Sequence, residues 1–149
     1  MIAAALSLFA VAGCGGYGGG SKDSEEDTTT TIAGTQAESH GTKDVSDESG
    51  KVEIELYDNY FEPTILKGKP GQMVELELKN EGNAEHTFTI AEQSVNKEIQ
   101  PGDETETEVT FPQSGQLKFV CTFHQSQGMI GALQTSPGSS SPSTTTSKY

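Results

Sequence analysis

Two segments of the chain alternate strictly between apolar and polar residues, and this alternation constrains the fold more than any other feature. Residues 52–57 read Val-Glu-Ile-Glu-Leu-Tyr, and residues 74–79 read Val-Glu-Leu-Glu-Leu-Lys. Successive side chains of a strand point to opposite faces, so this pattern indicates strands with one buried and one solvated face. No segment shows a convincing helical periodicity. We therefore expect an all-β domain.

Turn-forming residues separate these segments from further candidate strands. Pro, Gly, Asn and Ser mark the predicted turns at Lys69-Pro70-Gly71, Glu81-Gly82-Asn83, Gln100-Pro101-Gly102 and Pro112-Gln113-Ser114-Gly115. The segments between them predict strands at residues 64–67, 86–90, 105–111, 116–121 and 129–135. Seven or eight short strands in this length are typical of an antiparallel β-sandwich. A sandwich alone does not indicate a function.

The distribution of apolar residues limits the folded domain to residues 51–136. Between residues 15 and 49, Ile32 and Val45 are the only aliphatic side chains larger than that of Ala. A segment this polar buries too little apolar surface to offset the entropy of ordering, so we predict a disordered acidic tether over residues 14–50. The Ser/Thr/Pro-rich composition of residues 137–149 predicts a disordered tail.

Acidic residues dominate the charge of the chain. The net charge is −13, and the domain alone carries 14 acidic residues against 6 lysines. An acidic surface of this kind repels nucleic acid, so nucleic-acid binding is excluded. It attracts basic protein surfaces, although acidity also serves solubility alone.

The first residues have the character of a secretory signal. Residues 1–13 form an apolar run that ends at Cys14. Thirteen helical residues span about 20 Å, whereas the core of a bilayer is about 30 Å thick. The run is therefore too short for a stable transmembrane helix and suits the apolar part of a signal peptide.

The end of this run, Val11-Ala12-Gly13-Cys14, resembles a bacterial lipobox. The resemblance implies a lipid on Cys14 and a protein anchored to the cell membrane outside the cytoplasm, in the periplasm or at the cell surface. No Lys or Arg precedes Cys14, although a signal peptide usually begins with a basic residue. A plain cleaved signal and an uncleaved anchor stay open as alternatives.

Three metal-binding residue types follow one another closely after a predicted strand. Cys121 ends the strand, His124 lies three residues later, and Met129 follows five residues after that. His86 enters a different predicted strand. A thiolate, two imidazoles and a weak thioether donor form the set that suits copper cycling between two oxidation states. Taken singly, such residues are usually core or surface residues, but their joint spacing favours a copper site.

The chain at this point resembles the cupredoxin family of blue copper proteins, with a plastocyanin-like spacing of the ligands. The match covers residues 52–135, and the motifs that carry it are Phe61-Glu62-Pro63-Thr64, Lys69-Pro70-Gly71, Asn80-Glu81-Gly82, His86-Thr87-Phe88, Pro101-Gly102 and the Cys121-to-Met129 hairpin. The resemblance implies an antiparallel Greek-key β-sandwich of seven or eight strands. It also implies one type 1 copper ion.

The resemblance assigns roles to individual residues. His86, Cys121 and His124 would be the equatorial ligands and Met129 the axial ligand. Phe119 matches the usual aromatic residue two positions before the Cys, and Thr122 would donate a hydrogen bond beside the site. Thr87 departs from plastocyanin, which has Asn there. Thr can still hydrogen-bond across the two ligand loops, so the departure concerns the expected redox potential and not the identity of the metal. His40 fits no ligand pattern and is expected at the surface.

These features favour an electron carrier rather than an enzyme. The chain has no His-x-His pair of a multicopper oxidase and only one Cys in the ligand loop, so binuclear copper is excluded. Four protein ligands leave copper no open position for a substrate. We expect a monomer that exchanges single electrons with a basic cytochrome c or a membrane oxidoreductase. The electron port would be His124, framed by Phe123, Gly128 and the loop near residues 82–84. The alternative is a protein for copper storage, delivery or sensing.

Overall fold

The structure is a computed structural model, and it describes residues 28–135. The predicted signal peptide, the lipidation of Cys14, the first part of the tether and the C-terminal tail lie outside these residues. Within the described part of the chain, no helix is long and apolar enough to cross a bilayer.

The described residues form twelve strands and two short 3-10 turns. The strands are β1 (Thr28–Ile32), β2 (Thr35–Ser39), β3 (Thr42–Asp44), β4 (Val52–Leu56), β5 (Phe61–Glu62), β6 (Ile65–Gly68), β7 (Met73–Asn80), β8 (His86–Ile90), β9 (Val95–Ile99), β10 (Glu104–Thr110), β11 (Gln116–Val120) and β12 (Ile130–Thr135). The 3-10 turns are Ala91–Gln93 and Gln125–Gln127. The all-β class predicted from the alternation is confirmed.

Two sheets and one hairpin make up the architecture. One sheet has the strand order β10-β7-β4-β5 and the other has the order β3-β6-β12-β11-β8-β9, while β1 pairs with β2. The pairs β4–β7, β6–β12 and β3–β6 are parallel, so the sheets are mixed and not purely antiparallel as expected. Parallel neighbours are joined through long connections, which alternation within a single strand does not reveal.

The two sheets face each other across one hydrophobic core. The alternation predicted the correct buried face, because Val52, Ile54 and Leu56 are fully buried while Glu53 and Glu55 remain partly exposed. Within this core, Phe119 packs edge-on against Phe61 at 5.0 Å between ring centroids. It also packs against Phe88 in a tilted arrangement at 4.8 Å. These aromatic rings fix the strand that leads into the predicted ligand loop.

The prediction of disorder up to residue 50 is wrong for residues 28–44, which contain β1, β2 and β3. Ile32 and Ala37 of the hairpin are buried with Val120, Ile130 and Ala132, which point away from the main core. The hairpin therefore covers the outer face of β11 and β12. The composition argument failed because these few apolar residues are buried against a sheet that supplies the remaining apolar surface.

The segment after the hairpin is also fixed to the domain. The backbone N–H of His40 donates to Oγ1 of Thr64 at 2.7 Å, and that of Val45 donates to the carbonyl of Lys67 at 2.7 Å. Val45 is fully buried in the main core. The folded domain consequently begins well before the expected boundary at residue 51.

Glutamates cover the solvent face of the four-stranded sheet. The register places Glu106 opposite Glu77 and Glu108 opposite Glu75. Lys51 and Lys79 form ion pairs with Glu106 and Glu53, respectively. Like charges in directly opposed positions destabilise a sheet, so this face carries an unfavourable charge pattern that only two lysines offset.

Candidate metal centre

The hairpin between β11 and β12 carries three of the four predicted ligands. Cys121 follows β11 directly, His124 lies in the turn, and Met129 directly precedes β12. The N–H of His124 donates to the carbonyl of Cys121, the N–H of Met129 to that of His124, and the N–H of Cys121 to that of Met129, each at 3.2 Å. These bonds close the loop and fix the backbone at all three positions.

The fourth predicted ligand comes from a different strand. His86 is the first residue of β8, which pairs with β11 in the same sheet. Its Nδ1 lies 3.7 Å from Sγ of Cys121, and Nδ1 of His124 lies 3.4 Å from the same sulfur. The ligand atoms of His86, Cys121 and His124 all lie within 4.8 Å of one another. The structure thus brings these three residues together as the sequence predicts.

The donor set of this cluster fits copper. A thiolate and two imidazole nitrogens facing one point are suited to a single copper site. Burial, and then the proximity of His124, lower the pKa of His86, which favours the neutral imidazole that a metal requires. Met129 is fully buried where the loop enters β12. Its role as the axial ligand stays a prediction.

Two threonines connect the ligand strands. The N–H of Thr87 donates to Sγ of Cys121 at 3.4 Å, and the N–H of Thr122 donates to Oγ1 of Thr87 at 2.8 Å. The two hydroxyl groups are 3.0 Å apart. Thr87 therefore forms the connection across the ligand loops that was expected of it. The sulfur of Cys121 therefore accepts a hydrogen bond from the backbone of the other ligand strand.

A loop that the sequence did not single out packs against His86. Asp58, in the turn between β4 and β5, accepts hydrogen bonds from the backbone N–H groups of Asn83 and Ala84 at 2.6 and 3.2 Å. Hydrogen bonds, those from Asn83 first, hold the pKa of Asp58 below its usual value. Oδ1 of Asp58 lies 3.8 Å from Nε2 of His86.

Nothing in the sequence distinguished Asp58 from an ordinary turn residue. Its partners become visible only when two loops from different strands are brought together. Asn80 fixes the loop between β7 and β8, since its Nδ2 donates to the carbonyls of Ala84 and Ile99 at 2.8 Å. The Asn80-Glu81-Gly82 motif had signalled Asn80 through the family resemblance.

The three clustered residues differ in their exposure to solvent. His86 and Cys121 are 0% exposed, whereas His124 is partly exposed. Phe123, beside His124, is 52% exposed and is one of two large apolar side chains at the surface of the described residues. His40 is not part of the cluster, and its ring stacks on Tyr60 at 3.6 Å between centroids.

Several solved structures share this fold. The metal-binding domain of the Cu(I)-exporting P-type ATPase CopA of Streptococcus pneumoniae superposes with a TM-score of 0.53, covering 65% of this chain and 97% of that one at 17% identity. Dithionite-reduced auracyanin of the photosynthetic bacterium Roseiflexus castenholzii gives 0.50, with 60% and 98% covered at 20% identity. Auracyanin B gives 0.50, with 60% and 90% covered at 17% identity. At these identities the likeness concerns the fold alone.

The sequence itself matches a known family. Functionally curated proteins give no significant match. The family model described as the cupredoxin-like domain matches residues 28–132, which is more than half of the chain. The match begins at β1, so the hairpin belongs to the matched region, and the match extends further towards the N-terminus than the residues 52–135 that carried the resemblance in the sequence. The chain therefore belongs to the cupredoxin-like domain family.

Proposed function

We propose that this protein holds one copper ion with His86, Cys121, His124 and Met129 and carries single electrons between redox partners outside the cytoplasm. The observation that carries the proposal is the unequal exposure of the converging side chains. The thiol and one imidazole are fully buried, and the other imidazole reaches the surface. Copper held there would be enclosed, while an electron would have a route through the ring of His124.

The copper ion would supply one-electron chemistry, because it changes between Cu(II) and Cu(I). The protein's own residues restrain the donors. Closing bonds in the hairpin fix Cys121 and His124, and the N–H of Thr87 holds the sulfur from the other strand. Donors that are held by the fold move little when the charge of the metal changes, which favours rapid electron exchange.

The surface around His124 suits a brief contact with a redox partner. Phe123 offers an exposed apolar side chain, and Gly128 leaves the neighbouring surface without a side chain. Small contacts are typical of electron-transfer encounters. The acidic charge of the domain favours a basic partner, such as a cytochrome c or a membrane oxidoreductase. A lipid on Cys14 would keep the domain near membrane-bound partners.

The exposure pattern also argues against copper delivery and against catalysis. A protein that passes copper to another must open its ligands to the recipient, and here three of the four proposed ligands, His86, Cys121 and Met129, are fully buried. With Met129 as the fourth donor, the metal would have no open position for a substrate. We infer a carrier and not an enzyme.

Optical and redox measurements on the copper-loaded full chain test this function. Cu(II) should give an intense blue band from thiolate-to-copper charge transfer, and Cys121→Ser should remove the band without unfolding the strands. Fast, reversible electron exchange without copper loss supports the carrier. A colourless Cu(II) protein would refute the site, whereas ready transfer of Cu(I) to a competing chelator would favour copper delivery.

A further inference from the structure

The outer nitrogen of His86 is buried without a hydrogen-bond partner. Nδ1 of this ring faces Sγ of Cys121, and the opposite atom, Nε2, has neither solvent contact nor a hydrogen bond within the described structure. A neutral imidazole carries one proton on one nitrogen. If Nδ1 is to offer its lone pair to a metal, Nε2 must carry the proton and becomes a buried donor that requires an acceptor.

The carboxylate of Asp58 is the acceptor group placed at this nitrogen. Its Oδ1 lies 3.8 Å from Nε2, so a shift of about 1 Å brings the two atoms into hydrogen-bond range. Hydrogen bonds from the loop before β8 hold Asp58 in this position. It accepts hydrogen bonds from the N–H groups of Asn83 and Ala84, and Oδ2 accepts one from Nδ2 of Asn83 at 3.2 Å.

A glycine makes the approach of the two groups possible. A Cβ atom on Gly82 would lie 2.6 Å from Oδ1 of Asp58 and 3.0 Å from Nε2 of His86. Any larger residue at this position would intrude on both groups at once. The backbone at Gly82 is itself held, since its N–H donates to Oδ1 of Asn80 at 2.9 Å. The loop is therefore built to keep the carboxylate beside the ring.

We propose that Asp58 is a positioning residue for the copper ligand His86. Its carboxylate accepts a hydrogen bond from Nε2–H, which fixes the tautomer with Nδ1 free for copper, and it places a negative charge on the far side of the ring. A carboxylate in this position raises the basicity of a ligating imidazole and orients the ring. Both effects stabilise Cu(II) more than Cu(I), so Asp58 lowers the redox potential of the site. This inference rests on the proposed copper site.

Three variants of the full chain separate the role of the charge from that of the loop. Asp58→Asn removes the charge, and its carbonyl oxygen can still accept the bonds from Asn83 and Ala84. Asp58→Ala removes the acceptor entirely. Glu81→Gln is the matched control, because it removes one exposed acidic charge from the same loop without a contact to His86.

The first measurement needs no copper. In the metal-free wild type, ¹⁵N-resolved imidazole NMR should show His86 with its proton on Nε2 and slow exchange of that proton with water. Asp58→Ala should accelerate the exchange and mix the tautomers, while Glu81→Gln should leave both unchanged. An unaltered tautomer and exchange rate in Asp58→Ala would overturn the proposal.

The second measurement is the midpoint potential of the copper-loaded protein. Asp58→Asn should raise the potential above that of Glu81→Gln while its metal-free melting temperature stays near that of the wild type. Asp58→Ala should bind Cu(II) about 10–100-fold more weakly, which is the usual loss when a hydrogen-bond partner of a metal ligand is removed. If Asp58→Asn matches the wild type in potential, Asp58 only holds the loop and the proposal is wrong. A colourless wild type would instead refute the copper site, and the metal-free NMR result would still decide the Asp58–His86 contact.

Discussion

A single methyl group added at Gly131 should disrupt the support beneath the ligand loop. Gly131 lies opposite Phe119 in the register of β11 and β12. A Cβ atom there would lie 2.1 Å from Cε2 of Phe119 and 2.7 Å from the backbone oxygen of Thr64. The side chain of Phe119 is fully buried among other aromatic rings, so it has no free space into which to move.

The expected cost follows from this geometry. Overpacking a well-packed core costs about 1–3 kcal/mol, and the contact with the backbone of Thr64 places Gly131→Ala at the upper end of that range. For a domain of about 100 residues, 1 kcal/mol lowers the melting temperature by about 4–8 °C. We therefore expect a decrease of about 10–20 °C. The blue band should shift too, because Phe119 precedes Cys121 by two residues.

Thermal unfolding of the metal-free chain measures this effect, and Gly50→Ala is its control. A Cβ atom at Gly50 has no neighbour within 4 Å, so this variant should melt within a few degrees of the wild type. Phe119→Leu should recover part of the loss when combined with Gly131→Ala, because the smaller side chain relieves the clash. Equal melting temperatures for the Gly131 and Gly50 variants would refute the packing argument, as would strict additivity in the double variant.

Three further outcomes follow from the site, the sheet and the N-terminus. Met129→Leu should keep the blue band and raise the redox potential, whereas Met129→Gln should lower it; complete loss of copper in Met129→Leu would contradict the axial role. Glu108→Lys should stabilise the domain by about 0.2–1 kcal/mol in denaturant titrations at low salt, because a pair with Glu75 replaces a repulsion. An unchanged midpoint would show that the opposed carboxylates are already screened. Cys14→Ser, in a chain expressed with a complete signal, should release the protein into the soluble fraction, and persistent membrane association would indicate an uncleaved helix.

Strands with a clear alternation were predicted well from the sequence. β8 has the predicted bounds, His86–Ile90, and β7 differs from the predicted segment by one residue at each end. β9 was missed because Val95–Ile99 is mostly polar, as suits its position at the edge of the sheet. β1 and β2 were missed for a related reason, since only Ile32 and Ala37 of the hairpin are buried. A strand with few apolar residues of its own cannot be recognised from its composition when distant strands supply most of the apolar surface against which it is buried.

The residues of the candidate site also differ in how readily the sequence predicts them. Cys121, His124 and Met129 lie within nine residues, so their spacing alone indicated a common loop. His86 lies 35 residues before Cys121, so donor chemistry and the family resemblance connected it to them and spacing did not, because the pairing of β8 with β11 is a property of the fold. Asp58 depends on a third segment, and neither spacing nor composition points to it. Prediction from sequence therefore reached His86, Cys121 and His124 and the connecting Thr87, but it did not reach the carboxylate of Asp58 beside His86.

The arrangement of supports around the ligands gives different freedom to the two histidines. His86 is enclosed in the sheet, with Gly82 and Asp58 packed against its outer nitrogen. His124 is held by backbone bonds of its own turn, and the residues that follow it, Gln125–Gln127, are exposed. If the site opens at all, it should therefore open at His124 while His86 and Cys121 stay in place. The same side chain would then serve as the route for electrons when the site is closed and as the point of entry for copper when the turn opens, so electron exchange and copper loading should compete for one surface.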